Sequence, residues 1–85
     1  MSYHLTPIPK GILGEASKIN EELQELVDAE AQGIKIMMLC ELSDIIGAVE
    51  SYLIQKFPTM TLKDLVEMSN VTKRAFLSGS RSSNN

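Results

Sequence analysis

The sequence predicts an all-α fold, an antiparallel helical hairpin plus a third helix. Three observations predict it. Apolar residues recur at helical three-and-four spacing, Gly33 and Pro58 fall where helices should end, and no stretch alternates with the period of a strand. The chain has 85 residues and a single cysteine, Cys40, so it cannot form an internal disulfide. A domain this short leaves much of its apolar surface uncovered, and a partner subunit is the remaining staple.

In the first segment Ile12, Ala16, Ile19, Leu23, Leu26 and Val27 form one apolar stripe. Pro7 and Pro9 are tolerated only in or before its first turn, Gly11 and Gly14 weaken that end, and Gly33 is the natural left-handed C-terminal cap. From Ile34 to Phe57 apolar residues surround the helix: Ile36, Met37, Leu39, Leu42, Ile45, Ile46, Val49, Tyr52, Leu53 and Ile54. A helix of that kind is expected to be buried, and Cys40 within it to act as a small buried hydrophobe. The third helix starts at the capping signature Thr61-Leu62-Lys63-Asp64, carries Leu62, Leu65, Met68, Ala75 and Phe76 on its apolar side, and should close at Gly79. One domain over residues 1–78 is expected, with a polar, mobile tail over 79–85.

The formal net charge of -3 argues against a nucleic acid polymer as partner, since phosphate-backbone binding normally shows as an excess of Lys and Arg. No apolar run approaches the roughly 20 residues that span a bilayer, and the first residues lack the basic start and apolar stretch of a signal peptide. A soluble protein in a reducing, cytoplasmic setting, with no membrane partner, is the expectation.

Glu41 and Asp44 interrupt the apolar second helix three residues apart, on one face, with no basic residue between Lys35 and Lys56. A buried carboxylate must neutralise, meet a basic group or bind a cation. Folding the chain at Gly33 into a hairpin places Glu25 and Glu41 each eight positions from the turn, and Glu22 and Asp44 each eleven. At ~1.5 Å rise per residue each pair falls at equal height. Four carboxylates then converge, and an all-oxygen set suits magnesium, with manganese the alternative ion. A di-iron carboxylate bundle wants Glu-x-x-His pairs, whereas the only histidine is His4, near the terminus.

Glu21-Glu22-Leu23-Gln24-Glu25 followed by Glu41-Leu42-Ser43-Asp44 resembles the EExxE and ExxD pair of the MazG-like all-alpha NTP pyrophosphohydrolases, from about Gly14 to Phe57. The resemblance implies that the helical hairpin and third helix are completed to a four-helix-type bundle by oligomerisation, as a homo-oligomer (dimer or tetramer), with magnesium held by Glu22, Glu25, Glu41 and Asp44. It also implies cleavage of a nucleoside triphosphate between the α and β phosphates, giving monophosphate and pyrophosphate, with Glu21 or Glu25 positioning a water or accepting its proton. Basic or amide side chains of later helices meet the phosphates in that family. Asn70, Lys73 and Arg74, on one face of the third helix, and Arg81 beyond it match that role here, and Lys18 is either an ion-pair partner of Glu22 or a further phosphate contact. Tyr3, His4, Tyr52 and Phe57 are the aromatic or imidazole groups for a base pocket, and no tryptophan is present. Two alternatives share these residues: a phosphoribosyl-ATP pyrophosphohydrolase, and a non-catalytic helical oligomerisation or regulatory module.

Overall fold

The structure, a computed structural model, describes residues 4–77, the side chains of residues 75–77 excepted. The expected closure at Gly79, the tail over 79–85 and Arg81 lie outside the described residues, as do Tyr3 and the side chains of Ala75 and Phe76. The described part is all-helical: α1 (Ala16–Gln32), α2 (Lys35–Lys56) and α3 (Leu62–Leu77), with no strand among the described residues. None of these helices is long and apolar enough to cross a membrane.

Gly33 makes the hairpin. Its φ of 74° is left-handed, its N–H donates to the carbonyls of Glu30 (3.0 Å) and Ala29 (3.1 Å), and the N–H of Ile34 reaches back to Ala29 (3.4 Å). This is a Schellman-type cap, which satisfies the last carbonyls of α1 and reverses the chain within two residues. Ala29, fully buried, seats the turn against the opposite helix. The short connection forces α1 and α2 to pack side by side, and theirs is the main interhelical contact.

Phe57 caps α2 just before Pro58, its N–H donating to the carbonyl of Leu53 at 2.7 Å, while its ring tilts against Tyr52. The capping signature at Thr61 forms as expected. Thr61 Oγ1 accepts from the Asp64 N–H (3.2 Å) and Asp64 Oδ2 accepts from the Thr61 N–H (2.9 Å), a reciprocal pair that satisfies two donors at the start of α3. Beyond its cap, α3 touches α2 only lightly.

Three expectations about the core are corrected. First, α1 begins later than the apolar stripe suggested, so Ile12 lies outside it and is 61% exposed. Residues 4–15 run instead as a non-helical strap, with Gly14 at a φ of 95°. A Cβ at Gly11 would overlap the backbone of Ser17, and one at Gly14 would collide with the side chain of Gln55, so close approach requires glycine at both places.

Second, the stripe assigned to the core of α1 faces outward: Leu23 and Val27 are exposed, while Glu21, Glu22 and Asp28 are buried. As expected of a helix with more apolar faces than the rest of one short chain can cover, α2 is left open on several sides. Ile36, Leu39, Leu42, Ile46 and Ile54 are exposed, and only Ala48 and Leu53 are its buried apolar residues. Third, Cys40, one turn from Ile36 on that outward side, is exposed rather than a core hydrophobe. The exposure of Leu23 and Val27 and that of Cys40 share one cause. The helix faces that meet in the hairpin are those carrying the carboxylates, and the apolar faces are left pointing away.

Candidate metal centre

The buried face of α1 follows its own three-and-four spacing through Lys18, Glu21, Glu22, Glu25, Asp28 and Gln32. Facing it, α2 contributes Glu41 and Asp44. Glu22, Glu25, Glu41 and Asp44 each place a carboxylate oxygen within 4.8 Å of all the others. The equal-height argument about Gly33 therefore describes the geometry: the two pairs equidistant from the turn are the residues that come together.

Burial in this group is graded. Glu41 is 2% exposed and Glu22 6%, Glu25 is half-buried and Asp44 is exposed, so the group has a closed floor and one open side. Glu22 Oε1 and Glu41 Oε1 are buried without a hydrogen-bond partner. A carboxylate oxygen removed from water with nothing to bond it is costly, and two of them in one place have to be offset by a proton or by a cation. Glu25 carries the same tension. Burial first, and then the neighbouring carboxylates of Glu41 and Glu22, push its carboxyl up to about 8. The donors are all carboxylate oxygens, and such a set could hold a hard divalent cation.

Lys18 belongs to the edge of the group. Its Nζ lies 3.2 Å from Glu22 Oε2 and 3.2 Å from Glu21 Oε1, and the hydrogen bonds to Glu22 and then Glu21 raise its pKa. Glu21 itself stands apart from the four. Its Oε1 accepts from the Gly11 N–H at 2.8 Å and from Lys18, and Lys10 lies 3.8 Å from its other oxygen. The Gly11 N–H chiefly, helped by Lys18 and against the opposing effect of burial, holds this carboxyl below the usual range. Glu21 thus pins the strap to α1.

Asp28 pins the strap a second time, a role that the sequence reading missed. Its Oδ2 accepts from the N–H groups of Leu5 (2.7 Å) and Thr6 (3.2 Å), and its Oδ1 from Gln32 (2.6 Å). These bonds bring His4 to the group, with Nε2 3.9 Å from Glu25 Oε2 and Nδ1 3.7 Å from Asp28 Oδ1. The signal for Asp28 was present in the polar three-and-four stripe of α1. No spacing rule connects it to His4, because their proximity depends on the course of the strap.

The expected phosphate contacts are not brought together with the carboxylates in the same way. Asn70, Lys73 and Arg74 are exposed on α3, the helix that makes only light contact with the hairpin. An apolar depression of about 180 Å³ lies at the open end of the hairpin, lined by Leu13, Gly14, Ser51, Ile54 and Gln55. No family model, curated protein or solved structure matches the chain.

Proposed function

We propose that the chain is a divalent-cation-dependent nucleoside triphosphate pyrophosphohydrolase of the MazG-like kind, holding magnesium or manganese on Glu22, Glu25, Glu41 and Asp44. The observation that carries this reading is the convergence of four carboxylates around two buried oxygens that have no hydrogen-bond partner. Lys18 pairs with one oxygen of Glu22, and α2 supplies no basic group to the remaining carboxylates. The cation, when bound, neutralises phosphate charge and makes a nearby water more acidic.

The chain's own residues divide the remaining work. Glu22 and Glu41 form the dry floor of the site, and exposed Asp44 opens it to a triphosphate. Of the two glutamates in question, Glu21 has its carboxylate committed to Gly11 and Lys18, which leaves Glu25, at the open side of the group, to position the water. Lys18, already at the edge of the group, gives the phosphates a positive contact.

The exposed apolar side chains of α1 and α2 support a second copy of the chain as the cover of the hairpin's outer side, making the enzyme a homo-oligomer. Incubation with a panel of ribo- and deoxynucleoside triphosphates and phosphoribosyl-ATP tests the activity. Monophosphate and pyrophosphate appear with magnesium, and not with chelator or with Asp44→Asn. Turnover of phosphoribosyl-ATP alone would assign the alternative substrate, and no turnover together with no cation binding would leave a helical module without the activity.

A further inference from the structure

We infer that the apolar depression at the open end of the hairpin receives the base of the nucleoside triphosphate, with the phosphates on the carboxylate side of Lys18. The inference rests on the proposed hydrolase reading and adds to it where the nucleoside goes. Its own support is the order of groups along the two arms. On α2, Asp44, Ser51 and Gln55 stand at i, i+7 and i+11, on one face of the helix, so the depression continues the open side of the carboxylate group. On the other arm Lys18 comes four residues after Gly14, which lines the depression, and four before Glu22, with its Nζ 3.2 Å from Glu22 Oε2. The cleft therefore runs from carboxylates, past one cation, to an uncharged hollow. Asp44 and Ser51 are two helical turns apart, roughly 10 Å at ~1.5 Å per residue. A nucleotide carries its base on the far side of a pentose from its phosphates, and a gap of this length suits that spacing.

The lining fits a base better than it fits anything charged. Leu13, Gly14, Ser51, Ile54 and Gln55 enclose about 180 Å³, and none of them carries a charge. Pockets for whole ligands begin at about 300 Å³, so this one takes part of its ligand, and an uncharged flat ring is the part that suits it. The Ser51 hydroxyl and the Gln55 carboxamide can each donate and accept, as the edge of a base requires. Leu13 and Ile54, both exposed, offer aliphatic surface that a ring would cover. Gly14, at a φ of 95°, brings bare backbone against Gln55, whose side chain would collide with a Cβ there, so the strap and the end of α2 are fitted closely at the floor. Tyr52 and Phe57, which the sequence offered for a base pocket, do not line it.

The experiment uses the full-length chain with magnesium and two kinds of probe. One is the set of α,β-methylene analogues of the adenine, guanine, cytosine and uracil ribonucleoside triphosphates, which cannot be cut at the proposed bond; the other is inorganic tripolyphosphate. Nuclear magnetic resonance reads Overhauser contacts between base protons and the methyl groups of Leu13 and Ile54. Contacts to both residues are the expected result, with tripolyphosphate competing for the site but leaving the Gln55 side-chain amide resonances in place. Ser51→Phe, which fills the hollow, should weaken analogue binding about tenfold and leave magnesium and tripolyphosphate binding unchanged. Analogues that bind, and need Asp44 to do so, yet show no base contact to Leu13 or Ile54 would overturn the base assignment and leave the proposed hydrolase standing. Failure of both the analogues and tripolyphosphate to bind would overturn both. The wild-type contacts decide the assignment by themselves, so a poorly folding Ser51→Phe does not obscure it.

Discussion

Glu25 and Glu41, eight residues on either side of Gly33, meet across the hairpin with a carboxylate oxygen of each within 4.8 Å of the other. Burial first, and then the neighbouring carboxylates of Glu41 and Glu22, push the carboxyl of Glu25 up to about 8 in the metal-free protein. In the unfolded chain the same group ionises in the ordinary glutamate range, near ~4.3. Between those values the folded state binds the extra proton, so stability of the metal-free protein falls as pH rises. Thermal unfolding at pH 5 and pH 8 in chelator should give a midpoint lower at pH 8 by on the order of 5 °C. Saturating magnesium should reverse the order, because the cation favours the ionised carboxylates that the proton otherwise protects. A metal-free midpoint that rises with pH over this range would contradict the pairing.

Asp44 is the exposed member of the four, and its removal separates function from folding. Asp44→Asn deletes a ligand and one repelling charge without opening a cavity, so metal-free stability should stay equal or rise slightly. Magnesium-dependent stabilisation should vanish, and turnover should fall by at least ~100-fold if the cation supplies several kcal/mol of transition-state stabilisation. Calorimetric titration with magnesium beside product analysis checks both.

Gly33→Ala tests the turn itself. Nothing lies within 4 Å of the position a Cβ would occupy, so the cost is conformational alone: an L residue at φ 74° loses roughly 1–2 kcal/mol. For a chain of this size that lowers the midpoint by about 4–16 °C. Because Gly33 also sets the register of the carboxylate pairs, magnesium affinity should fall with it, whereas an equally destabilising substitution in α3 should leave affinity unchanged.

The hairpin, its turn and its four converging acids were legible because each rests on a local rule. Gly33 announces a left-handed cap, Pro58 a stop, Thr61 and Asp64 a capping box, and a short turn makes equal sequence distances equal heights. The facing of the helices was not legible from hydropathy. The apolar stripe through Leu23 and Val27 looks like a core face by spacing, yet α1 carries a second, polar stripe of the same period, and periodicity cannot say which of two stripes meets the neighbour. The path of residues 4–15 was hidden for a different reason. It depends on side chain to backbone bonds from Asp28 and Glu21 to residues ten or more positions away, which leave no periodic mark.

Asp28 should give the strap a signature in acid. Burial works to raise its carboxyl, but the hydrogen bonds from Gln32 and from the Leu5 and Thr6 N–H groups, with the nearby His4, outweigh that and hold it below the usual aspartate range. A group whose folded-state pKa is depressed stabilises the fold above its unfolded value, near ~3.9, and that contribution is lost as pH falls through the folded value. Asp28→Asn should therefore be less stable than wild type at pH 6, with the difference shrinking as pH drops below about 4. Limited proteolysis at pH 6 should cut the variant before Ala16 sooner than wild type, since an amide has no charge and can accept either from the Leu5 and Thr6 N–H groups or from Gln32, but not from both sides.

Leu39, Leu42 and Ile46 stand at i, i+3 and i+7 of α2, all exposed, on the side of the helix turned away from Glu41 and Asp44. Together with the outward Leu23 and Val27 of α1 they leave a chain of 9.4 kDa with more apolar side chain outside its hairpin than inside it. A surface of this kind marks an interaction site, and in the proposed homo-oligomer a second copy covers it with the same face. Ile46→Glu puts a charge in the middle of that row without touching the carboxylate centre. Light scattering should show wild type at a multiple of the monomer mass and Ile46→Glu reduced to the monomer, with helix content falling because the hairpin alone buries only Ala29, Ala48 and Leu53. A wild-type protein that scatters as a stable monomer at micromolar concentration would assign this face to another partner and remove the second copy from the proposed enzyme.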